Sequence, residues 1–454
     1  MSWKLSIFCF SVKHKGIVLI KNTFTGAIVS LKKDDYNELT ASLHHGTIPK
    51  WASNLKGQNG ILVKDNVDEE EAFKKLFLKT REANQILTIH VLPTLACQLN
   101  CPYCFEKHIP NNRRCSVKDT VIDSMFNLLN SYIASHTITA IKIIFFGGEP
   151  LLRKDLITDI LSRLKLFSTT SGIKIKTELV TNGELLDREI CELLKKHNWT
   201  RLQVTLDGFR DTHNKTRRRK DGKETFDTII DGIKLVIENK YIDKIDLRIN
   251  LGKTNFTSAK ILINYLAKLN MAAFLNVTVG LIESYGENSC PNLSCTARQE
   301  DIDDRIARNY LKLSLFAKQR GFNIQDEFVA GPICIATMKH SVVIQPDGGM
   351  QKCFCSVGIK EFNFGNLLNQ KQLTLRDQRF EFFDDRIRKC VEEKCPFLPM
   401  CNGGCVWRAV HRHGSAKGFQ ERSCQKEAMK IINGGLMKNM IALSRNSKKD
   451  NCPH

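Results

Sequence analysis

Between residues 89 and 320 the chain alternates short β-rich apolar runs with amphipathic stretches, and six such repeats leave few folds open. The runs are 89–95 (IHVLPTL), 140–146, 173–180, 200–206, 244–251 and 273–281. The amphipathic stretches cover 116–134, 151–167, 184–197, 224–239, 257–269 and 300–320. Strand and helix in regular alternation predict parallel strands joined by crossovers, with helices on the outside. The predicted class is α/β, a partial (β/α)6 barrel over 89–330, with its working residues at the strands' C-terminal ends. Phe145, Phe146 and Trp199 are expected to be core.

The flanks differ in kind. Residues 1–88 read as a small α+β unit. GIVLIKNTFTGAIVSL predicts strand–turn–strand around Gly26, DDYNELTASLHH a helix and GILVKD a strand, while Ala72, Phe73, Leu76 and Phe77 have helical spacing. This unit carries no catalytic constellation, so binding or packing is its expected task. In residues 331–432, HSVVIQPDGGMQKCF predicts a hairpin turned by PDGG. Short elements and cysteines follow, where metal can hold together a thin apolar core. Residues 433–454 are expected to be a frayed tail.

The chain has 17 cysteines. Its opening residues carry no secretory cleavage pattern. No run approaches the ~18 apolar residues of a membrane helix. A cytoplasmic protein without a membrane partner is expected, and there metal ligation is a better use of cysteine than a disulfide scaffold. The formal net charge of +20 would attract nucleic acid, anionic membrane or an acidic polypeptide. The basic residues are dispersed, with the densest cluster at Arg217 to Lys220, so charge alone selects no partner.

Cys97, Cys101 and Cys104 follow the first barrel run as CX3CX2C. Three closely spaced thiolates can converge on one cube of iron and sulfide and leave one iron without a protein ligand. A structural zinc site is the alternative, with Cys115 or His108 as fourth ligand. The second run ends in Gly147-Gly148-Glu149-Pro150, the third in Thr181-Asn182-Gly183, and the fourth in Gln203 to Asp207-Gly208. Glycines let backbone approach a ligand and a carboxylate suits an ammonium, although Glu149 could equally cap the next helix.

The cysteine triplet followed by Phe105 resembles the radical S-adenosylmethionine (SAM) superfamily. That resemblance implies a 4Fe–4S cluster on Cys97, Cys101 and Cys104 whose open iron binds the amino and carboxylate groups of SAM. It also implies SAM contacts at Gly147, Gly148, Glu149 and Pro150, at Asn182, Gln203 and Asp207, and at Arg217, for which Arg218 or Arg219 would also serve. Cys334, Cys353, Cys390, Cys395, Cys401, Cys405 and Cys424 form a second set, CX13GX4C, a gap, CX4CX5CX3C, a gap and a final cysteine. With PFLPMCNGGC and FGNL, this resembles the Cys-rich SPASM extension, which implies two auxiliary 4Fe–4S clusters and three in all. The family spacing is CX2C where this chain has Cys390 to Cys395. By the family pattern Cys334, Cys353 and Cys405 would hold the first auxiliary cluster, and Cys390, Cys395, Cys401 and Cys424 the second. An eighth ligand would come from Cys290 or Cys295, or that position would stay open to substrate. Zinc is the alternative here too. Cys9, Cys191 and Cys452 fit no pattern.

The resemblance implies an enzyme that generates a 5′-deoxyadenosyl radical to modify a peptide or protein. It is most similar to maturases that form thioether or carbon–carbon crosslinks in ribosomally made precursors, served by a flavodoxin or ferredoxin-like electron donor. Residues 1–88 would then capture a leader peptide. The alternatives are an anaerobic sulfatase-maturing enzyme, which makes formylglycine, and a zinc-stabilised nucleic-acid-binding protein.

Overall fold

The computed structural model describes residues 2–449 apart from 83–84, 111–114, 198, 283–303, 326–333, 370–374, 378–382 and 414–422. The N-terminal part comprises β1 (Trp3–Leu5), β2 (Cys9–His14), β3 (Ile17–Asn22), β4 (Ile28–Lys32), α1 (Lys33–His44), β5 (Leu62–Lys64) and α2 (Glu69–Glu82). β2, β3 and β4 form an antiparallel sheet with β4 at its edge, and β1 pairs with β5. Alternation splits β3 between two cores, because successive side chains face opposite ways. Val18 and Ile20 pack with Leu39 and Leu55, while Leu19 joins Phe10, Phe73 and Phe77 in the main core. The unit is therefore built into the rest of the molecule.

The central α/β part runs β6 (Ile86–Val91), α3 (Asp119–Ser135), β7 (Ala140–Phe145), α4 (Lys154–Ser171), β8 (Lys174–Thr181), α5 (Arg188–Lys196), β9 (Arg201–Thr205), α6 (Arg210–Thr216), α7 (Phe226–Glu238), β10 (Ile245–Leu251), α8 (Phe256–Lys268), β11 (Leu275–Leu281), α9 (Asp304–Gln319) and β12 (Asn323–Gln325). The strands β6 to β12 are neighbours in chain order and all parallel. Six strands fall where the alternation predicts, and β12 adds a seventh. β6 lies earlier than the apolar run implies, because Pro93 takes the chain out of the ladder after Val91. In β10, Ile245, Leu247, Ile249 and Leu251 pack in the main core, leaving Asp246, Arg248 and Asn250 on the opposite face.

The C-terminal part holds β13 (Ser341–Ile344), β14 (Gly349–Gln351), β15 (Gly365–Asn366), α10 (Phe383–Glu392), α11 (Leu398–Cys401), α12 (Val406–His413) and α13 (Lys426–Lys449). The PDGG hairpin forms as β13–β14, but it is no separate sheet. β13 pairs parallel with β6, from Ser341 opposite Thr88 to Ile344 opposite Val91, so among the described residues ten strands form one sheet. The expected frayed tail is corrected: α13 continues to Lys449 and packs along α9. Gly434 and Gly435 look like helix breakers in sequence, yet they allow close approach. A Cβ on Gly435 would meet Leu311 at 2.1 Å, and one on Gly434 would meet Val12 at 3.2 Å. Among the described residues, no helix is long and apolar enough to cross a membrane.

Candidate active site

The loop after β6 carries the cysteine triplet, and backbone hydrogen bonds fix it on several sides. Leu95 N donates to Cys115 O at 2.9 Å, Asn100 N to Arg218 O at 3.0 Å and Lys220 N to Gln98 O at 2.8 Å. The basic cluster thus serves as a strap over the cysteine loop. Arg219 pairs with Glu184 and Asp221, and Arg217 turns inward. Cys97, Cys101 and Cys104 line one cavity of about 350 Å³ with Gly147, Gly148, Asn182, Gln203 and Arg217. This cavity opens at the C-terminal ends of the parallel strands, where the fold places working residues.

Burial pushes the Cys97 thiol up to about 12 and raises those of Cys101 and Cys104. Each lies close enough to another of the three to oppose its ionisation. Three such thiols become thiolates together only against a positive partner, which fits an iron–sulfur cluster. Of the two candidate fourth zinc ligands, His108 is engaged by the protein itself. Both ring nitrogens of His108 meet backbone carbonyls, Phe105 O at 2.7 Å and Val357 O at 3.0 Å, and Cys115 is exposed. Asn182 holds Nδ2 3.8 Å from the Cys97 sulfur, so a side-chain N–H faces that thiol.

The glycine turn packs directly on this loop. Gly147 and Gly148 have φ of 85° and 52°, and Glu149 N donates to Ala96 O at 2.8 Å. A Cβ at Gly148 would stand 2.2 Å from Ala96 O, so only glycine fits. Glu149 does not face the cavity. Its Oε1 accepts from Leu151 N at 3.0 Å and Thr181 Oγ1 at 2.7 Å, and its Oε2 from Asn182 N at 2.8 Å. The carboxylate caps the turn that follows and ties β8 to it, and Pro150 is buried beside it. Both Glu149 oxygens thus accept hydrogen bonds from protein groups, the capping role that the sequence left open beside an ammonium contact.

Asp207 is likewise turned away, fully buried at the end of β9. It accepts from Tyr103 Oη and from Asn250 N, the latter at 3.1 Å. Tyr103 Oη in turn accepts from Arg217 Nη1 at 2.8 Å, and that nitrogen lies 3.8 Å from Asp207. The tyrosine inside the cysteine triplet is thus clamped between a buried anion and a buried cation. His213, in α6 just before Arg217, is buried and packs its ring on Phe226, with Nε2 3.2 Å from Thr225 Oγ1. Burial, and then Arg217, lower its pKa to about 3.

The sequence reading missed several cavity residues. His90 and Arg248 lie on the inner faces of β6 and β10, and Glu106 follows the triplet. Cys355 lines the same cavity and also sits in an apolar cluster with Cys353 and Cys405. A side-chain hydrogen bond from Cys355 lowers the Cys353 thiol pKa. The signal for the strand residues was present as polar residues at period two within apolar runs. Cys355 could have been found as one of a CXC pair.

Four cysteines of the second set lie near one another. Burial and the neighbouring Cys390, Cys395 and Cys424 push the Cys401 thiol up to about 12, so these four sulfurs share one locality. The two extra residues between Cys390 and Cys395 form the end of α10. Lys394 takes a left-handed φ of 47°, and Cys395 N returns to Cys390 O at 2.8 Å. Cys334 is exposed, two residues before Ala336, which belongs to the Cys353–Cys405 cluster. Cys290, Cys295 and Cys452 lie outside the described residues.

Comparison with known proteins agrees with this geometry. Residues 91–264 match the radical SAM superfamily. The cysteine-type anaerobic sulfatase-maturating enzyme of Clostridium perfringens is 23% identical over 326 residues, covering 68% of this chain and 85% of that protein. The solved structure of anSMEcpe with bound AdoMet (SAM) and Kp18Cys peptide superposes with a TM-score of 0.63 at 18% identity, over 80% of this chain and 99% of that one. Streptococcus suis SuiB bound to SAM superposes at 0.54 and 16% identity, over 92% and 99%, and SuiB is also solved with its precursor peptide SuiA. A cysteine triplet, a glycine turn and a parallel sheet meeting at one cavity therefore have a counterpart: residues 91–264 are a radical SAM domain, and the chain is homologous to anaerobic sulfatase-maturating enzymes.

Proposed function

We propose that this enzyme modifies a peptide, forming a thioether or carbon–carbon crosslink in a ribosomally made precursor. The observation that carries the reading is the single cavity shared by Cys97, Cys101, Cys104, Gly147, Gly148, Asn182 and Gln203. The three cysteines would hold a 4Fe–4S cluster, with SAM beside it. The chemistry supplied when both are bound is reductive cleavage of SAM to methionine and a hydrogen-abstracting 5′-deoxyadenosyl radical. The protein's part is to bind, orient and exclude water. The strap over residues 98–100 and the Tyr103 clamp hold the cysteine loop, and Gln203 and Arg217 border the space left for SAM. Cys390, Cys395, Cys401 and Cys424 suit one auxiliary cluster, and Cys334, Cys353 and Cys405 another. Electrons would come from a flavodoxin or ferredoxin-like protein, and a cytoplasmic setting suits such clusters.

A second reading, formylglycine formation, is favoured by the similarity to sulfatase-maturating enzymes. One anaerobic assay with SAM, reductant and a cysteine-containing peptide separates the two. Crosslinking is expected to lower the peptide's mass by a hydrogen pair, whereas formylglycine formation from cysteine replaces sulfur by oxygen and removes a hydrogen pair as well. A peptide recovered unchanged from a range of precursor and sulfatase-type sequences would sink both.

Precursor capture is assigned to the N-terminal part. β4 offers an edge to which an extended peptide can add. A groove of about 650 Å³ beside it is lined by Ile28, Leu76, Phe77, Met437 and Met440. Ile28, Leu76 and Met440 are exposed at 38, 48 and 54%, a solvent cost that a bound apolar segment would relieve. Removing the whole unit would open the main core, so point changes are the better probe. Leu76→Glu with Ile28→Glu is expected to weaken precursor binding by roughly 10-fold or more, from the lost burial of two apolar side chains. SAM cleavage without peptide should continue at the wild-type rate. Unaltered precursor affinity in a calorimetric titration would remove the groove from the reading.

A further inference from the structure

The SAM reading raises a question of charge: which group meets the α-ammonium of SAM if Glu149 is spent within the protein? Glu149 and Asp207 are both fully buried and bonded to protein groups. Among the described residues that line the cavity, Glu106 is the only carboxylate, while Arg201, Arg217 and Arg248 supply cations. Glu106 is 3% exposed and sits on the 3-10 turn Phe105–His108 that follows Cys104 directly. Its Oε2 accepts from Gly148 N at 2.7 Å. The carboxylate is thereby held against the glycine turn, and a carboxylate oxygen can accept more than one hydrogen bond.

We propose that Glu106 receives the α-ammonium of SAM. This rests on the SAM reading above and assigns to it a residue that no motif marked. The position joins three requirements. The residue lies on the turn directly after the cysteine triplet and lines the same cavity as all three cysteines. It touches the turn whose glycines allow close approach. It also brings negative charge to a cavity whose other charged side chains are arginines. A buried carboxylate facing an ammonium makes a charge-assisted bond, stronger than a neutral one.

The test uses full-length protein, anaerobically reconstituted, and two probes: SAM and a deaminated SAM analogue that lacks only the α-amino group. Equilibrium dialysis gives the affinities, and the change in the reduced cluster's EPR signal on binding gives a second readout. Glu106→Gln is expected to weaken SAM by roughly 10- to 100-fold, the worth of a hydrogen bond to a charged group. The analogue should bind wild type weakly and Glu106→Gln no worse. If Glu106→Gln loses iron, Glu106→Asp, one methylene shorter, carries the same contrast. Equal weakening of both probes would make Glu106 a prop for the Gly148 turn and overturn the proposal, as would unchanged SAM affinity. Wild-type protein that binds no SAM would instead sink the functional reading, and this inference with it.

Discussion

Anaerobically reconstituted Cys101→Ala protein is expected to release no 5′-deoxyadenosine from SAM, while Cys401→Ala continues to release it. Cys101 stands in the middle of the triplet and lines the same cavity as Gly147 and Gly148. Burial raises its thiol pKa, with Arg217 the largest opposing influence. In the proposed reading, removing it would leave two donors for a cluster given only three protein ligands, too few to keep the cube in place. Cys401 sits with Cys390, Cys395 and Cys424 in another locality, so its loss should remove iron there without touching the SAM cavity. Both variants should therefore lose iron and sulfide, and only one should lose SAM cleavage. Metal analysis with chromatography of the nucleoside products reads the contrast. Deoxyadenosine from Cys101→Ala at the wild-type rate would detach the triplet from the chemistry.

How much of this was legible beforehand follows from the range over which each signal acts. The parallel strands were legible because their apolar faces meet helices that follow immediately in sequence. The pairing of β13 with β6 was not, since Ser341 and Thr88 are far apart in the chain and parallel pairing leaves no turn signature. The polar inner face of the sheet was written as alternation in KIDLRINL, yet Asp246, Arg248 and Asn250 pass unnoticed when a run is scored as merely apolar. The cysteines were legible by spacing, including the CX4C departure that Lys394 absorbs. What a motif residue does was less so. Glu149 belongs to a recognisable turn, but its oxygens go to Leu151, Thr181 and Asn182. Glu106 belongs to no pattern and faces the cavity. Local sequence told which residues gather there and not which way each carboxylate points.

Direction of the carboxylate also sets the largest expected loss of stability. Asp207→Ala should cost about 3–5 kcal/mol, because it strands a buried cation. Asp207 is fully buried and its partner Arg217 is 8% exposed, so water cannot replace the lost charge. The same side chain accepts from Tyr103 Oη and from Asn250 N, so three elements lose a common acceptor: the cysteine loop, α6 with its following strap, and β10. Tyr103→Phe keeps Asp207 and Arg217 at their present 3.8 Å separation and removes only the hydroxyl between them. It should cost nearer 1 kcal/mol, the usual worth of one hydrogen bond. Denaturant unfolding of cluster-free protein gives both numbers without interference from iron. The cysteine loop should register the difference as well: residue 103 is unclamped in both variants, but Asp207→Ala also strands Arg217 and the Asn250 N–H, so it is expected to lose iron faster to a chelator than Tyr103→Phe does. If the two variants unfold at the same denaturant concentration, the pair is not what holds the cysteine loop, and the strap from Arg218 and Lys220 must carry it alone.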